Sequence, residues 1–162
     1  MRETVRGAQP DNPDTAPAPT DRKLPDGQHA DHWVLPAAER AKGYVRPLRH
    51  SYIHVGIPGP TYPLRDLTAE ERESFHDSGY IKFEVYPESM APRTGRFWTQ
   101  EDLDRVGKGC GVETRMPSAC AETYAREPGY YGSTFCCGCG KYLPVGERGE
   151  FVWDGTDERV GT

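Results

Sequence analysis

The chain has 162 residues, with 20 Lys and Arg against 25 Asp and Glu and a formal charge of −5, which argues against a dedicated nucleic-acid binder. Its 18 Gly and 15 Pro make up about one residue in five, against about 12% in average proteins; helix interiors tolerate both poorly, so a long-helix bundle is excluded. No apolar run approaches the length of about 18 residues that a membrane span needs, and the opening MRETVRGAQPDNPD carries charge but no apolar core, so neither a membrane protein nor a secretory signal is expected.

In chain order, the first segment is poor in apolar side chains and rich in proline, and cannot bury enough surface to offset its ordering entropy. Residues 1–32 therefore read as an extended or disordered arm, with polyproline character around Ala16-Pro17-Ala18-Pro19. His29 and His32 fall in this arm and read as solvated linker. Composition changes at Trp33-Val34-Leu35, and residues 33–162 read as a single α+β domain of short strands, short helices and long ordered loops. Ala37 to Lys42 suits a short helix closed by Gly43, and Ser51-Tyr52-Ile53-His54-Val55 alternates as a strand. Three prolines between Ile57 and Pro63 require an ordered loop.

Thr68-Ala69-Glu70-Glu71 has the form of a capping box opening a helix that runs to about Asp77, with Gly79 as its terminator. Tyr80 to Tyr86 is the strongest strand signal, with Ile81, Phe83 and Val85 on one face and Lys82 and Glu84 on the other. Thr99 starts a second capped helix that ends at Gly107. Ser118 to Glu127 suits a helix halted by Pro128-Gly129. Short strands are expected near Ser133–Cys136, Lys141–Leu143 and Glu150–Trp153.

All five cysteines lie in the last third, at 110, 120, 136, 137 and 139. The count is odd and three crowd into four residues, which fits a disulfide framework poorly. Without a signal peptide the expected compartment is reducing, where such clusters more often bind metal. Phe135-Cys136-Cys137-Gly138-Cys139-Gly140-Lys141 has the form of a zinc knuckle, in which glycines let backbone amides turn toward the sulfurs and Lys141 moderates the thiolate charge. Cys110, between two glycines, supplies a third ligand. Cys120 is taken as the fourth, with Cys137 or a histidine folding back from His50, His54 or His76 as the alternatives. His50 and His54 lie on one side of a strand and are explained more simply as a half-exposed polar face. The expected cofactor is Zn2+.

Residues 109–153 resemble zinc-ribbon modules at the knuckle, by Cys136, Cys139, Gly140 and Lys141, which implies a zinc-ribbon-like part at about 108–153. More loosely, Lys42-Gly43-Tyr44-Val45-Arg46-Pro47, Ala121-Glu122-Thr123-Tyr124-Ala125-Arg126 and Glu150-Phe151-Val152-Trp153 resemble uncharacterised proteins of tailed bacteriophages and prophages. That resemblance implies a phage setting, in the host cytoplasm or the virion, and no activity.

Enzymatic readings lack their residues. The only asparagine is Asn12 and no histidine follows His76, so an HNH-type nuclease would have neither general base nor orienting amide beside the knuckle. Phe135 stands where a zinc deaminase needs proline, and no His-x-Glu occurs. Phosphate loops, nucleophile elbows and dinucleotide fingerprints are missing. The basic stretch Arg40, Lys42, Arg46, Arg49 is interleaved with Tyr44 and Tyr52, but residues 101–162 carry seven basic against eleven acidic side chains, so nucleic acid is disfavoured as a partner. Nine tyrosines suit protein recognition, since they supply contact area at low entropy cost. The expectation is a non-enzymatic structural or interaction protein stapled by zinc, with protein partners such as virion subunits met through the arm. The alternative is a regulatory zinc-ribbon module that binds nucleic acid or a transcription component.

Overall fold

In a computed structural model of the protein, residues 3–6, 24–29 and 31–162 are described. Strand β1, Glu3–Arg6, pairs antiparallel with β2, Asp31–Val34. Helix α1 follows at Ala37–Arg40, then β3 at Ser51–His54. An inserted stretch carries β4, Leu64–Asp66, α2, Ala69–Ser74, β5, Tyr80–Val85, β6, Gly95–Thr99, and α3, Gln100–Arg105. The chain then forms β7, Glu113–Arg115, α4, Ser118–Arg126, the hairpin strands β8, Ser133–Cys136, and β9, Lys141–Pro144, and finally β10, Phe151–Trp153. Short strands and short helices are mixed throughout, so the fold is α+β as expected. Among the described residues no helix is long and apolar enough to cross a membrane.

The chain forms two compact units where a single domain over 33–162 was expected: Met1–Gly56 with Gly109–Thr162, and the insert Ile57–Lys108. The insert's antiparallel sheet, in the order β4-β5-β6, carries its own cluster of aromatic rings, Phe75, Tyr80, Phe83 and Phe97. The border of the expected arm also differs. Strand β2 begins at Asp31 and pairs with Glu3–Arg6, while the His29 amide donates to Tyr142 Oη at 3.0 Å. Residues 24–32 thus join the first unit; the polyproline expectation at 16–19 lies outside the described residues.

The first unit is built on the antiparallel sheet β10-β3-β7. Tyr52 and His54 of β3 share its buried face, opposite Trp153 and Phe151 of β10 respectively. Helix α4 closes this core with Ala119, Ala121 and Ala125, all nearly inaccessible, whose small side chains permit close packing. Its buried Thr123 donates through Oγ1 to the Ala119 carbonyl (2.7 Å) and accepts from the Leu35 amide (3.1 Å), tying α4 to the chain leaving β2. Arg40 adds an ion pair to Glu122 at 2.6 Å.

In the insert, both halves of the capping box are formed: Thr68 Oγ1 accepts from the Glu71 amide and Glu71 accepts from the Thr68 amide. The faces of β5 are the reverse of what alternation suggests. Glu84 is buried while Ile81 and Val85 are exposed. The reason is polar: Glu84 accepts from Trp98 Nε1 (2.9 Å) and from the amides of Thr61 (2.7 Å) and Tyr62 (3.0 Å), and a buried carboxylate with three donors needs no counter-ion.

Candidate metal centre

The knuckle occupies the turn between β8 and β9, where Phe135 pairs with Tyr142 and Cys136 with Lys141. The Gly140 amide donates to the Cys136 carbonyl at 2.8 Å, closing the turn, and the Cys139 amide points at Cys136 Sγ from 3.4 Å. Such amide-to-sulfur contacts favour thiolate over thiol. The third cysteine arrives beside β3, because the Gly111 amide donates to the His54 carbonyl at 2.9 Å and the segment continues into β7. Gly109 makes this approach possible: a Cβ there would collide with the His54 carbonyl.

Four ligand atoms converge, from His54, Cys110, Cys136 and Cys139, all within 4.8 Å of one another. Cys110 Sγ lies 3.4 Å from Cys136 Sγ, and Cys139 Sγ lies 3.4 Å from His54 Nδ1. For comparison, metal–sulfur bonds of about 2.3 Å at tetrahedral angles separate two sulfurs by roughly 3.8 Å. The donor set is soft and tetrahedral in size, so the residues fit a thiophilic cation. The five cysteines are free thiols.

The two thiols that face each other differ electrostatically. Burial works against the Cys110 thiolate, but the Val112 amide and the neighbouring side chains outweigh it and bring this group down to about 7. Cys136 is inaccessible to solvent, and burial pushes it up to about 12 despite the amides of Cys139 and Gly138.

His54 is held from behind. Its Nε2 lies 2.8 Å from Glu150 Oε1, both side chains being buried, so the ring proton belongs on Nε2 and Nδ1 is left as the donor atom turned toward the sulfurs. The Cys110 amide approaches that Nδ1 at 3.2 Å. The Glu150 carbonyl also accepts from the amides of Val55 and Gly56, each at 3.0 Å. A carboxylate behind a ligating imidazole fixes its tautomer and raises its basicity.

Of the residues expected to hold metal, Cys110, Cys136 and Cys139 come together, while Cys120 does not join them. It sits in α4 within the apolar core that includes Met116 and Tyr124, because the helix turns it inward toward the sheet. The fourth position falls to His54. Cys137 points away, with its amide donating to Thr114 Oγ1 (3.0 Å) and its thiol toward the Glu113 carbonyl (3.2 Å). His50 pairs with Ser118 Oγ at 3.2 Å, and His76 pairs with Asp77 in the insert. His54 stood only among the alternatives for the fourth ligand because its strand face reads as half-exposed and polar, whereas that face is buried. The glutamate at 150 carried no signal of its own, since its partner lies 96 positions upstream. Compared with protein-family models, curated proteins and solved structures, the chain matches none.

Proposed function

We propose that this protein is a non-enzymatic binding module whose first unit is stapled by a structural zinc ion held by His54, Cys110, Cys136 and Cys139. The observation that carries this reading is the closed donor set. Catalytic zinc sites keep three protein ligands and an open position, whereas structural sites use four. Here three sulfurs and one imidazole converge within 4.8 Å. The ion would join the end of β3, the chain entering β7 and the β8–β9 hairpin, three segments far apart in sequence, and its binding energy would become folding energy for a small core. The proposed setting is phage-encoded and virion-associated with protein partners, a reading that rests only on the loose resemblance of the three short motifs at 42–47, 121–126 and 150–153.

The test is the metal content of protein purified without chelator. About one zinc per chain is expected, and Cys136→Ser is expected to lose it together with much of the first unit's thermal stability. Less than about 0.3 zinc per chain in the parent protein would refute the staple, because structural sites bind tightly.

A further inference from the structure

The first unit also carries a cavity of about 690 Å³, walled by the β8–β9 hairpin, residues 27–29, His32, Trp33 and the start of α4. That volume lies within the usual range of small-molecule sites, about 300–1,000 Å³. Its buried aromatic side chains are Tyr52, Tyr124 and Phe135, and Trp33, Tyr131 and Tyr142 add partly exposed ring surface. Arg115 and Lys141 also line it, as do His29 and His32; among the described residues no Asp or Glu lines it, the charge of Asp26 acting on Tyr142 from beside it. In a chain of net charge −5 this is a local reversal of sign.

The two cations are available. Arg40, Lys42, Arg49, Arg65, Lys82 and Arg105 are each engaged by a carboxylate. Arg115 donates to Ser51 Oγ at 3.3 Å, and among the described residues neither it nor Lys141 is in an ion pair. One polar atom inside the cavity is also unsatisfied. Tyr52 Oη donates to the Phe135 carbonyl and accepts from Thr134 Oγ1. The Tyr124 hydroxyl, on a side chain 3% exposed, makes no hydrogen bond of good geometry, Thr134 being its polar neighbour. A buried hydroxyl left in that state is a cost that a ligand atom would remove.

We propose that this cavity binds a nucleoside monophosphate unit, free or as the end of a single strand. The partly exposed rings of Trp33, Tyr131 and Tyr142 suit a base, which stacks on tyrosine and tryptophan whatever its sequence. Arg115 and Lys141 suit one phosphate, and the Tyr124 hydroxyl suits a polar atom of the base or sugar. A long polyanion is disfavoured because the rest of the molecule is acidic. The cavity goes beyond the metal staple and does not depend on the identity of the ion, although the same hairpin serves both.

The test uses the full chain with its metal content recorded, titrated with the four nucleoside 5′-monophosphates, with (dT)10 and with inorganic phosphate, followed by intrinsic fluorescence and calorimetry. Saturable one-to-one binding of a monophosphate or of (dT)10 supports the proposal, and which of them binds tells the free nucleotide from the strand end. Tyr124→Phe and Arg115→Ala should each weaken binding at least threefold with metal content and thermal unfolding unchanged. With two cations involved, raising salt from 50 to 200 mM should cost (dT)10 about sevenfold.

No binding by either probe at 5 mM monophosphate or 100 µM (dT)10, on protein of full metal content, overturns the proposal and leaves the staple untouched. So does equal competition by inorganic phosphate, a salt loss of a hundredfold, or binding of a proline-rich decapeptide with nucleotides inert. Loss of metal in the parent protein would instead count against the staple alone.

Discussion

Glu150→Ala is the sharpest probe of the metal centre, because it leaves all four ligands in place. It removes the acceptor 2.8 Å from His54 Nε2, in a place where His54 is 5% and Glu150 3% exposed. Two costs follow. The buried Nε2–H loses its partner, worth about 1–3 kcal/mol whether or not metal is present. The imidazole also loses the carboxylate that orients it, which typically costs 10–100-fold in metal affinity, or about 1.4–2.7 kcal/mol. Arg159 complicates the first cost. Its guanidinium donates to the carbonyls of Gly56 (2.6 Å) and Gly149 (3.1 Å), is depressed by burial, and is supported by the charge on Glu150.

The two costs are separable by measurement. Zinc competition against a chromophoric chelator at fixed pH reports affinity alone, while denaturant unfolding with and without zinc reports the linked stability. Glu150→Ala should weaken zinc by 10–100-fold, and Glu150→Gln, which keeps an acceptor and drops the charge, by less than Glu150→Ala. A Glu150→Ala protein that binds zinc within twofold of the parent would refute the orienting role.

Three further perturbations address neighbouring parts of the argument. Gly138→Ala would place a Cβ 2.7 Å from Cys110 Sγ and 2.8 Å from Val112 Cβ, so zinc affinity should fall at least tenfold by chelator competition and the metal-free protein should lose stability; unchanged affinity would contradict the packing described. Cys120→Ser should leave metal content at the parental level while destabilising the first unit by about 1–3 kcal/mol, the cost of a hydroxyl in an apolar core; loss of metal on this substitution would restore Cys120 as a ligand. In the insert, the hydrogen bond from Arg65 and the Thr68 amide hold the Glu71 carboxyl at about 2, below its ordinary 4.5. Its stabilising effect is therefore complete above pH 4.5 and lost as pH falls toward 2. Glu71→Gln should flatten that part of the insert's acid transition, measured as urea midpoints at pH 7 and 3, and an identical drop in both proteins would count against the pairing.

Much of the local structure was legible because it depends on neighbours in sequence. The capping box at Thr68, the helix Ser118–Arg126 stopped before Pro128, and the strand Ser133–Cys136 follow from short-range backbone chemistry. The strands Leu64–Asp66 and Glu113–Arg115 carry too few residues to show a period and exist only through the partners that pair with them. Face assignment failed where burial served a polar purpose. On β3 the buried face holds Tyr52 and His54, and on β5 it holds Glu84, because partners on β8, beside β10 and on β6 satisfy those groups. Alternation reports which residues share a face but not which face is covered.

The same division runs through the candidate site. Three donors could be named from the spacing of Cys136 and Cys139 and the glycine-flanked Cys110, since thiol chemistry and turn geometry are local properties. The fourth could be named only as one of several alternatives: His54 and Cys110 are separated by the whole insert, and the antiparallel pairing of residues 111–115 with β3 sets them side by side. Composition and motif alone determined an α+β chain with a metal-capable knuckle near its end. Tertiary structure decided that the last donor is a histidine backed by a glutamate, that Cys120 belongs to the core, and that an aromatic cavity lined by two cations with no ion pair among the described residues lies along the same hairpin. The physical reason is that a ligand set and a cavity are defined by distances across the fold, and only the packing of separate sheets and α4 against one another brings those distances down to a few ångströms.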